Sequence, residues 1–244
     1  MRVMAGPDAR DPACFQSDAS VFAHALGRDF HNTRVAWCLD LGGLPVDRRV
    51  RQVLEAQRTT FETLGCIVED ACPDLAEADS IFLTVRAWRT AAVLGPLLSA
   101  HRHQMKPEAI AEIEAGLAIS RDQVEQAVGW HRDVVERFRR FQERYEFFVC
   151  VVNQVPPFDA DIDWPKSIDG VAMEGYVAWM KSTYWISTTL CPAIAVPAGF
   201  TGDGLPVGIQ IVGRYRDDMG VLQIAHAFEQ ATRVGQTRPS IAVR

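Results

Sequence analysis

Two apolar runs in this 244-residue sequence decide its fold: Pro192-Ala-Ile-Ala-Val-Pro-Ala-Gly199 and Gly204-Leu-Pro-Val-Gly-Ile-Gln-Ile-Val-Gly-Arg214. Each is short and apolar and is bounded by glycine or proline, which is typical of strands in a buried sheet. Turn residues separate the two runs, so a hairpin turn with close backbone approach is the simplest interpretation. The sequence therefore predicts strands over 193–196 and 207–212.

The glycines between and after these strands do not follow a nucleotide-binding pattern. A P-loop needs GxxxxGK[ST], and a dinucleotide fingerprint needs GxGxxG between a strand and a helix. Here the glycines lie between two strands. We expect no cofactor.

The segments upstream of the hairpin add further strands and helices. Strands are predicted at 35–39 and 66–69 around a helical run at 46–64 that Gly65 ends, and this order implies parallel strands joined by a right-handed crossover. Predicted helices cover 15–26 (capped by Ser17 or Asp18), 75–100 (kinked or interrupted at Gly95-Pro96), 107–118, 122–146, 171–186 and 219–232, with a strand at 147–152. The fold class expected is α/β, with one mixed sheet flanked by helices.

Composition excludes several classes of protein. The net charge of −6 provides no basic excess to neutralise phosphates, which argues against a nucleic-acid partner. No stretch looks apolar enough to span a bilayer, so we expect no membrane partner either. The six cysteines form no CxxC pair and no secretory signal opens the chain, which predicts a cytoplasmic protein with reduced thiols.

Metal binding is not expected from the candidate ligands. His101 and His103 are two residues apart, so they face different sides of a helix, and no third ligand has a suitable spacing. Asp159, Asp161 and Asp163 alternate in an acidic loop that lacks the glycine and the final glutamate of a calcium loop. A solvated loop is the simpler interpretation.

The candidate nucleophiles are supported no better than the candidate metal ligands. Lys166-Ser167 and Lys181-Ser182 place a lysine beside a serine, but neighbouring side chains on a helix or strand diverge. Cys191 leads into an apolar strand, where a small core residue is expected. Residue chemistry alone therefore assembles no active site.

The two strand runs strongly resemble the C-terminal signature of the amidase signature family. Three further matches occur in the expected order. Residues 3–10 resemble the loop after that family's catalytic region, residues 34–43 resemble the next strand and turn, and Glu229 fits the closing helix. Together the matches span nearly the whole chain, so the resemblance implies one partial amidase-signature domain over 1–244, with a mostly helical stretch at 75–146.

This resemblance implies a hydrolase or an amidotransferase subunit that acts on a carboxamide. Family members use a Ser–cis-Ser–Lys triad and a glycine- and serine-rich oxyanion loop, all upstream of the segment resembled by residues 3–10. The present sequence contains no GGSS-like segment. No residue can therefore be assigned a catalytic role, and we expect either a fragment or a gene that encodes only this half.

The resemblance also suggests a substrate wall. Family members usually carry an asparagine and a glycine shortly before the Pro-Ala of the later strand, where this chain has Ser187 and Leu190. If a pocket survives, the family implies that it is lined by the end of the strand near 151–156 and by the segment before Pro192. The candidate substrate-binding residues are Asn153, Gln154, Trp185 and Thr189.

Three hypotheses of function follow. The first is the C-terminal portion of an amidase, inactive alone, that binds a small amide substrate when the N-terminal half completes it. The second is a non-catalytic remnant or a binding subunit that keeps the α/β fold. The third, weaker hypothesis is a small-molecule-binding α/β module without amidase ancestry. In the first case an exposed sheet edge would favour homo-oligomers or another partner.

Overall fold

The computed structural model describes residues 1–11, 14 and 18–238. Its strands are β1 (Arg34–Trp37), β2 (Ile67–Asp70), β3 (Phe147–Val151), β4 (Ser167–Ile168), β5 (Val171–Ala172), β6 (Ala193–Phe200) and β7 (Pro206–Val212). Its α-helices are α1 (Arg48–Glu55), α2 (Arg58–Thr63), α3 (Ala78–His101), α4 (Pro107–Ala118), α5 (Arg121–Arg144), α6 (Lys181–Ser187) and α7 (Asp218–Thr232). The 3-10 turns are Ala19–Ala23, Arg102–Gln104, Ala178–Met180 and Val234–Gln236.

The main sheet is mixed, as the sequence predicts. Its strand order is β2-β1-β3-β7-β6. Strand β1 pairs in parallel with β2 and β3, whereas β7 pairs antiparallel with β3 and β6. The predicted hairpin of the two C-terminal strands is confirmed, and it joins the rest of the sheet through β3.

Helices cover both faces of this sheet. On one face Trp37 of β1 packs edge-on against Phe61 of α2, which stacks on Phe228 of α7. On the other face Phe148 of β3 meets Phe138 of α5. These aromatic contacts belong to one continuous buried core, in which every residue of β3 is buried.

Several predicted helices keep their place with changed bounds. The run at 46–64 divides into α1 and α2, and Gly65 follows α2 with φ +91°, where a β-carbon would lie 3.0 Å from the backbone of His31. Within the described residues of the predicted helix at 15–26, the structure has a short 3-10 turn, Ala19–Ala23, capped by Asp18. Ser17, the other candidate cap, lies outside the described residues.

The sequence predicts a kink or an interruption at Gly95-Pro96. Helix α3 is continuous there, so the interruption is wrong. A β-carbon at Gly95 would lie 3.8 Å from Leu117 and 4.0 Å from Ile113 of α4, which is ordinary packing distance. Packing of this kind can support a helix past a proline, although proline removes one backbone donor.

The same helix corrects the expectation about apolar length. The segment Ala78–Gln104 has an 18-residue window of mean hydropathy 1.3, which is enough to cross a membrane by length and composition alone, and 17% of this window is buried. A single helix of this kind is weak evidence for a membrane span. In this fold α3 packs against α4, α5 and α6.

The region 171–186 is not one helix, contrary to the prediction. Val171 and Ala172 pair with β4 in a small antiparallel ribbon, and the helical part is limited to a 3-10 turn at Ala178–Met180 followed by α6. Gly170 has φ +85°, a turn conformation that reverses the chain here. The aromatic residues of this region are spaced as they would be in a helix, but they lie on several short segments.

Two cysteines are paired, contrary to the expected thiols. Cys38, after β1, forms a disulfide with Cys72, after β2, and their α-carbons are 5.3 Å apart. They are 34 positions apart in the sequence, and no local signal marks the pair. They meet because parallel neighbours end at the same edge of a sheet.

Candidate functional site

The C-terminal end of β3 opens onto two neighbouring cavities that share Asn153, which is exposed. The larger, about 690 Å³, lies along β6, β7 and the turn at Val234–Gln236. The smaller, about 220 Å³, is lined by Val50, Asn153, Val155, Pro156, Pro157, Phe158, Trp179, Pro206, Val207 and Gly208. We call the smaller one the Asn153 cavity. The buried Nε1 of Trp179 in its wall has no hydrogen-bond partner among the described residues.

Gln154 is fully buried and ties the end of β3 to the loop before α1. Its Nε2 donates to the carbonyl oxygen of Pro45 at 3.0 Å, and its own carbonyl accepts from the amide of Asp47 at 2.8 Å. Its Oε1 is left without a partner within the described part of the chain. The side chain of Gln154 therefore holds in place the backbone that lies behind the two cavities.

Trp185 points towards α3 and belongs to a half-buried polar group that we call the Asp79 cluster: Asp79, Lys181, Tyr184 and Trp185. Asp79 Oδ1 accepts from Trp185 Nε1 at 2.7 Å and from Tyr184 Oη at 2.6 Å, while Lys181 Nζ pairs with Oδ2. Burial raises the pKa of Asp79, but the bonds from Lys181, Trp185 and Tyr184 outweigh it and lower the pKa overall. Burial also raises the pKa of Tyr184.

Thr189 is buried and closes the end of α6. Its Oγ1 donates to the carbonyl of Ile186 at 2.7 Å and accepts from the amide of Cys191 at 3.3 Å. The next residue, Leu190, has φ +59°, a conformation that favours glycine. At Leu190 the backbone thus has a conformation that favours glycine, and glycine is the residue that the resembled family usually carries at this position.

The candidate nucleophiles are engaged elsewhere. Ser182 donates to the carbonyl of Val152 at 2.7 Å, and Lys181 is held by Asp79, so these neighbours do diverge as expected. Burial raises the pKa of the Cys191 thiol to about 11, which disfavours the thiolate needed for attack. Within the described ranges no three His, Cys, Asp or Glu side chains form a group that could hold a metal ion.

The four predicted substrate residues therefore do not converge on one site. Only Asn153 lines one of the cavities described above, and Trp185 lies in the Asp79 cluster. Sequence reasoning missed Asp79, Lys181 and Tyr184 as a group. Asp79 is 102 to 106 residues from its partners, and no short motif marks it.

Comparison with known proteins adds three findings. Residues 1–222 match the family model described as Amidase. The chain is 28% identical over 268 residues to a glutamyl-tRNA(Gln) amidotransferase subunit of Synechococcus sp. (strain CC9605), covering 100% of this chain and 54% of that protein. It is 29% identical over 241 residues to an acylamidase of Rhodococcus erythropolis, covering 98% and 50% respectively.

A solved structure shares the fold. A bacterial aryl acylamidase of the amidase signature enzymes superposes with a TM-score of 0.85 at 23% identity, covering 98% of this chain and 52% of that one. At this identity the likeness shows the fold alone. The chain spans about half the length of the curated relatives it matches.

Proposed function

Because this chain belongs to the amidase signature family, we propose that it is the C-terminal portion of an amidase and has no hydrolytic activity alone. Residues 1–244 would form one partial domain of the parent enzyme. That enzyme would cleave the C–N bond of a carboxamide, giving a carboxylic acid and ammonia or an amine.

The observation that carries this proposal is the outer edge of β6. Strand β6 ends the sheet, and no further strand of the described chain pairs with it. Its exposed residues Ala193, Ala195, Pro197 and Phe200 are all apolar. Long apolar edges are rare in isolated domains because they pair with other chains. An additional half that supplies strands would cover this edge.

The chemistry of the described residues supports inactivity of the chain alone. Amide hydrolysis needs a nucleophile, a base and donors for the oxyanion. Ser182, Lys181 and Cys191 are bound or protonated, as described above. The covering half would therefore supply the serines and the lysine.

In the complete enzyme, this half would contribute part of the substrate wall. Asn153 is exposed in the Asn153 cavity, and its side chain can both donate to a carbonyl oxygen and accept from an amide N–H. Gln154 and Thr189 would contribute by holding the backbone of the substrate wall in place. Trp185 would contribute by positioning α6.

The second candidate is a non-catalytic binding or partner subunit. The continuous core favours it, since the sheet and the helices of the described residues bury one connected set of apolar side chains. Both candidates take a small molecule as ligand, and the net charge of −6 disfavours nucleic acid. We place either one in the cytoplasm.

A chimera tests the proposal. The half of the Rhodococcus acylamidase that this chain does not match would be fused to residues 1–244, with the intact acylamidase as positive control. We expect aniline release from acetanilide by the chimera and none by the 244-residue chain. Activity of the chain alone would overturn its proposed inactivity. A folded chimera without activity would favour the non-catalytic subunit.

Asn153→Ala in that chimera tests the wall. We expect a rise in KM for acetanilide with little change in the melting temperature, because Asn153 is exposed and has no packing role. An unchanged KM would remove Asn153 from the proposed substrate wall.

A further inference from the structure

A third cavity lies away from Asn153, between α3, α5 and the end of α6. Its volume of about 410 Å³ falls within the range of about 300–1,000 Å³ that is typical of small-ligand pockets. Three elements of this chain form its wall, and none of its lining residues belongs to the two cavities at the end of β3. We call it the α3–α6 cavity.

Helix α3 gives this cavity an apolar end and a cationic end. Ile81, Phe82 and Val85 line one part, and Arg86 and Arg89 lie one turn further along the same face. Four residues of helix span about 6 Å, which separates the two ends by the length of a small organic molecule. Phe82 is fixed by stacking on Tyr184 with ring centroids 4.0 Å apart, so the apolar end is preformed.

The charge of the lining is positive. Arg86 is neutralised by an ion pair with Glu112, with Nε and Oε1 2.6 Å apart. Arg89 is exposed and has no ion pair among the described residues. The lining contains no aspartate or glutamate. A cationic cavity on a protein of net charge −6 favours an anionic ligand at Arg89.

The opposite wall is rigid and polar. Nε2 of His131 on α5 lies 2.9 Å from the carbonyl oxygen of Thr188 and can donate to it. The hydroxyl of Thr188 donates in turn to the carbonyl of Trp185 at 2.6 Å. The Asp79 cluster therefore holds this wall in place against α3. Preformed walls favour binding, since little ordering accompanies it.

We propose that the α3–α6 cavity binds a small organic carboxylate with an aromatic body, the body resting on Ile81, Phe82 and Val85 and the carboxylate on the guanidinium of Arg89. A planar guanidinium offers two parallel donors to a carboxylate. The proposal requires neither amide hydrolysis nor a second half of the protein.

Calorimetric titration of the full chain tests this site with three probes. Phenylacetate carries both features, 2-phenylethanol keeps the aromatic body without the charge, and inorganic phosphate is an anion without the body. We expect saturable binding of phenylacetate, and binding of the other two at least about tenfold weaker, because a charge-assisted hydrogen bond strengthens binding by roughly that factor or more.

Two variants and one control locate the binding. Arg89→Gln should weaken phenylacetate binding at least about tenfold but leave 2-phenylethanol unchanged. Val85→Trp should weaken both aromatic probes by filling the apolar end. Arg132→Gln, which removes an exposed arginine of α5 outside the lining, should change nothing.

Three results would overturn the proposal. They are an absence of saturable phenylacetate binding, equal binding of phenylacetate and 2-phenylethanol, or an Arg89→Gln variant that binds phenylacetate as the parent does. Phosphate binding as strong as that of phenylacetate would reduce the site to a general anion site. Because no probe is an amide, each of these results is independent of the acetanilide assay.

Discussion

Asp79 Oδ1 accepts the indole Nε1 hydrogen of Trp185 at 2.7 Å, which joins the first turn of α3 to α6 across 106 residues of chain. Tyr184 donates to the same oxygen at 2.6 Å. One carboxylate thus satisfies two aromatic donors and a lysine. These bonds hold α6 against α3 together with the stacking of Phe82 on Tyr184.

Replacing Asp79 should loosen that junction. Asp79→Ala leaves three donors without their acceptor, and we expect the free energy of unfolding to fall by about 2–3 kcal/mol. Urea denaturation measures the change. Asp133→Ala removes an exposed carboxylate of α5 as a control and should stay within about 0.5 kcal/mol of the parent. A loss in Asp79→Ala no larger than in the control would show that the cluster does not stabilise the fold.

The same carboxylate predicts a pH dependence. The pKa of Asp79 is lowered in the folded protein, so its contribution to stability is complete above the unfolded pKa of about 3.9 and is lost as pH falls through the lowered value. Asp79→Asn cannot titrate. We therefore expect the stability difference between parent and Asp79→Asn to shrink below about pH 4. A constant difference down to pH 2 would contradict the assigned shift.

Gly116 marks the closest approach of α3 and α4. A β-carbon there would lie 2.0 Å from the backbone oxygen of Ala87, so Gly116→Ala must push the helices apart and should cost about 1–3 kcal/mol. Gly129 of α5 is the matched control, because a β-carbon there meets nothing within 4 Å. Gly129→Ala should raise stability by up to about 1 kcal/mol. Thermal unfolding of both variants compares them, and equal effects would contradict the close approach.

The edge of β6 should make the isolated chain associate. We expect oligomers in sedimentation velocity, and Ala195→Lys should shift them towards monomer because a charge on an exposed edge opposes strand pairing. Ala118→Lys adds the same charge at the end of α4, away from the sheet, and should not. A monodisperse monomer of the parent chain would count against an uncovered edge.

Cys38 and Cys72 test the proposed location in the cytoplasm. Alkylation inside cells followed by mass spectrometry should find both as thiols, since the cytoplasm keeps such pairs reduced. Air oxidation of the purified chain should then form the bond and raise stability by about 2–4 kcal/mol. Cys72→Ser should show no such change. A disulfide already present in cells would place the protein in an oxidising compartment.

Local signals account for the elements that the sequence predicts well. Helix α4 begins and ends where predicted, because Pro107 suits a first helical turn. The strand positions follow from short apolar runs between turn residues, and the mixed sheet follows from their order. Each of these signals lies within a few residues of the structure it predicts.

The features that were missed depend on distant contacts. Asp79 looks like an ordinary helix residue until α6 folds over it, and Cys38 meets Cys72 only when β1 and β2 pair. The sequence predicted that Asn153 and Gln154 both contact the substrate. Consecutive side chains of an extended segment, however, point to opposite sides. Hence one is exposed and the other fully buried.

The central position of β3 in the sheet also determines when the sheet can form during translation. Val35 of β1 pairs with Phe147 of β3, and the long helices α3, α4 and α5 are translated in between. At about 5–20 residues per second, β1 leaves the ribosome roughly ten seconds before its partner does. Non-local pairing of this kind is slow. We therefore expect β1 and β2 to lack their sheet neighbour β3 during that interval.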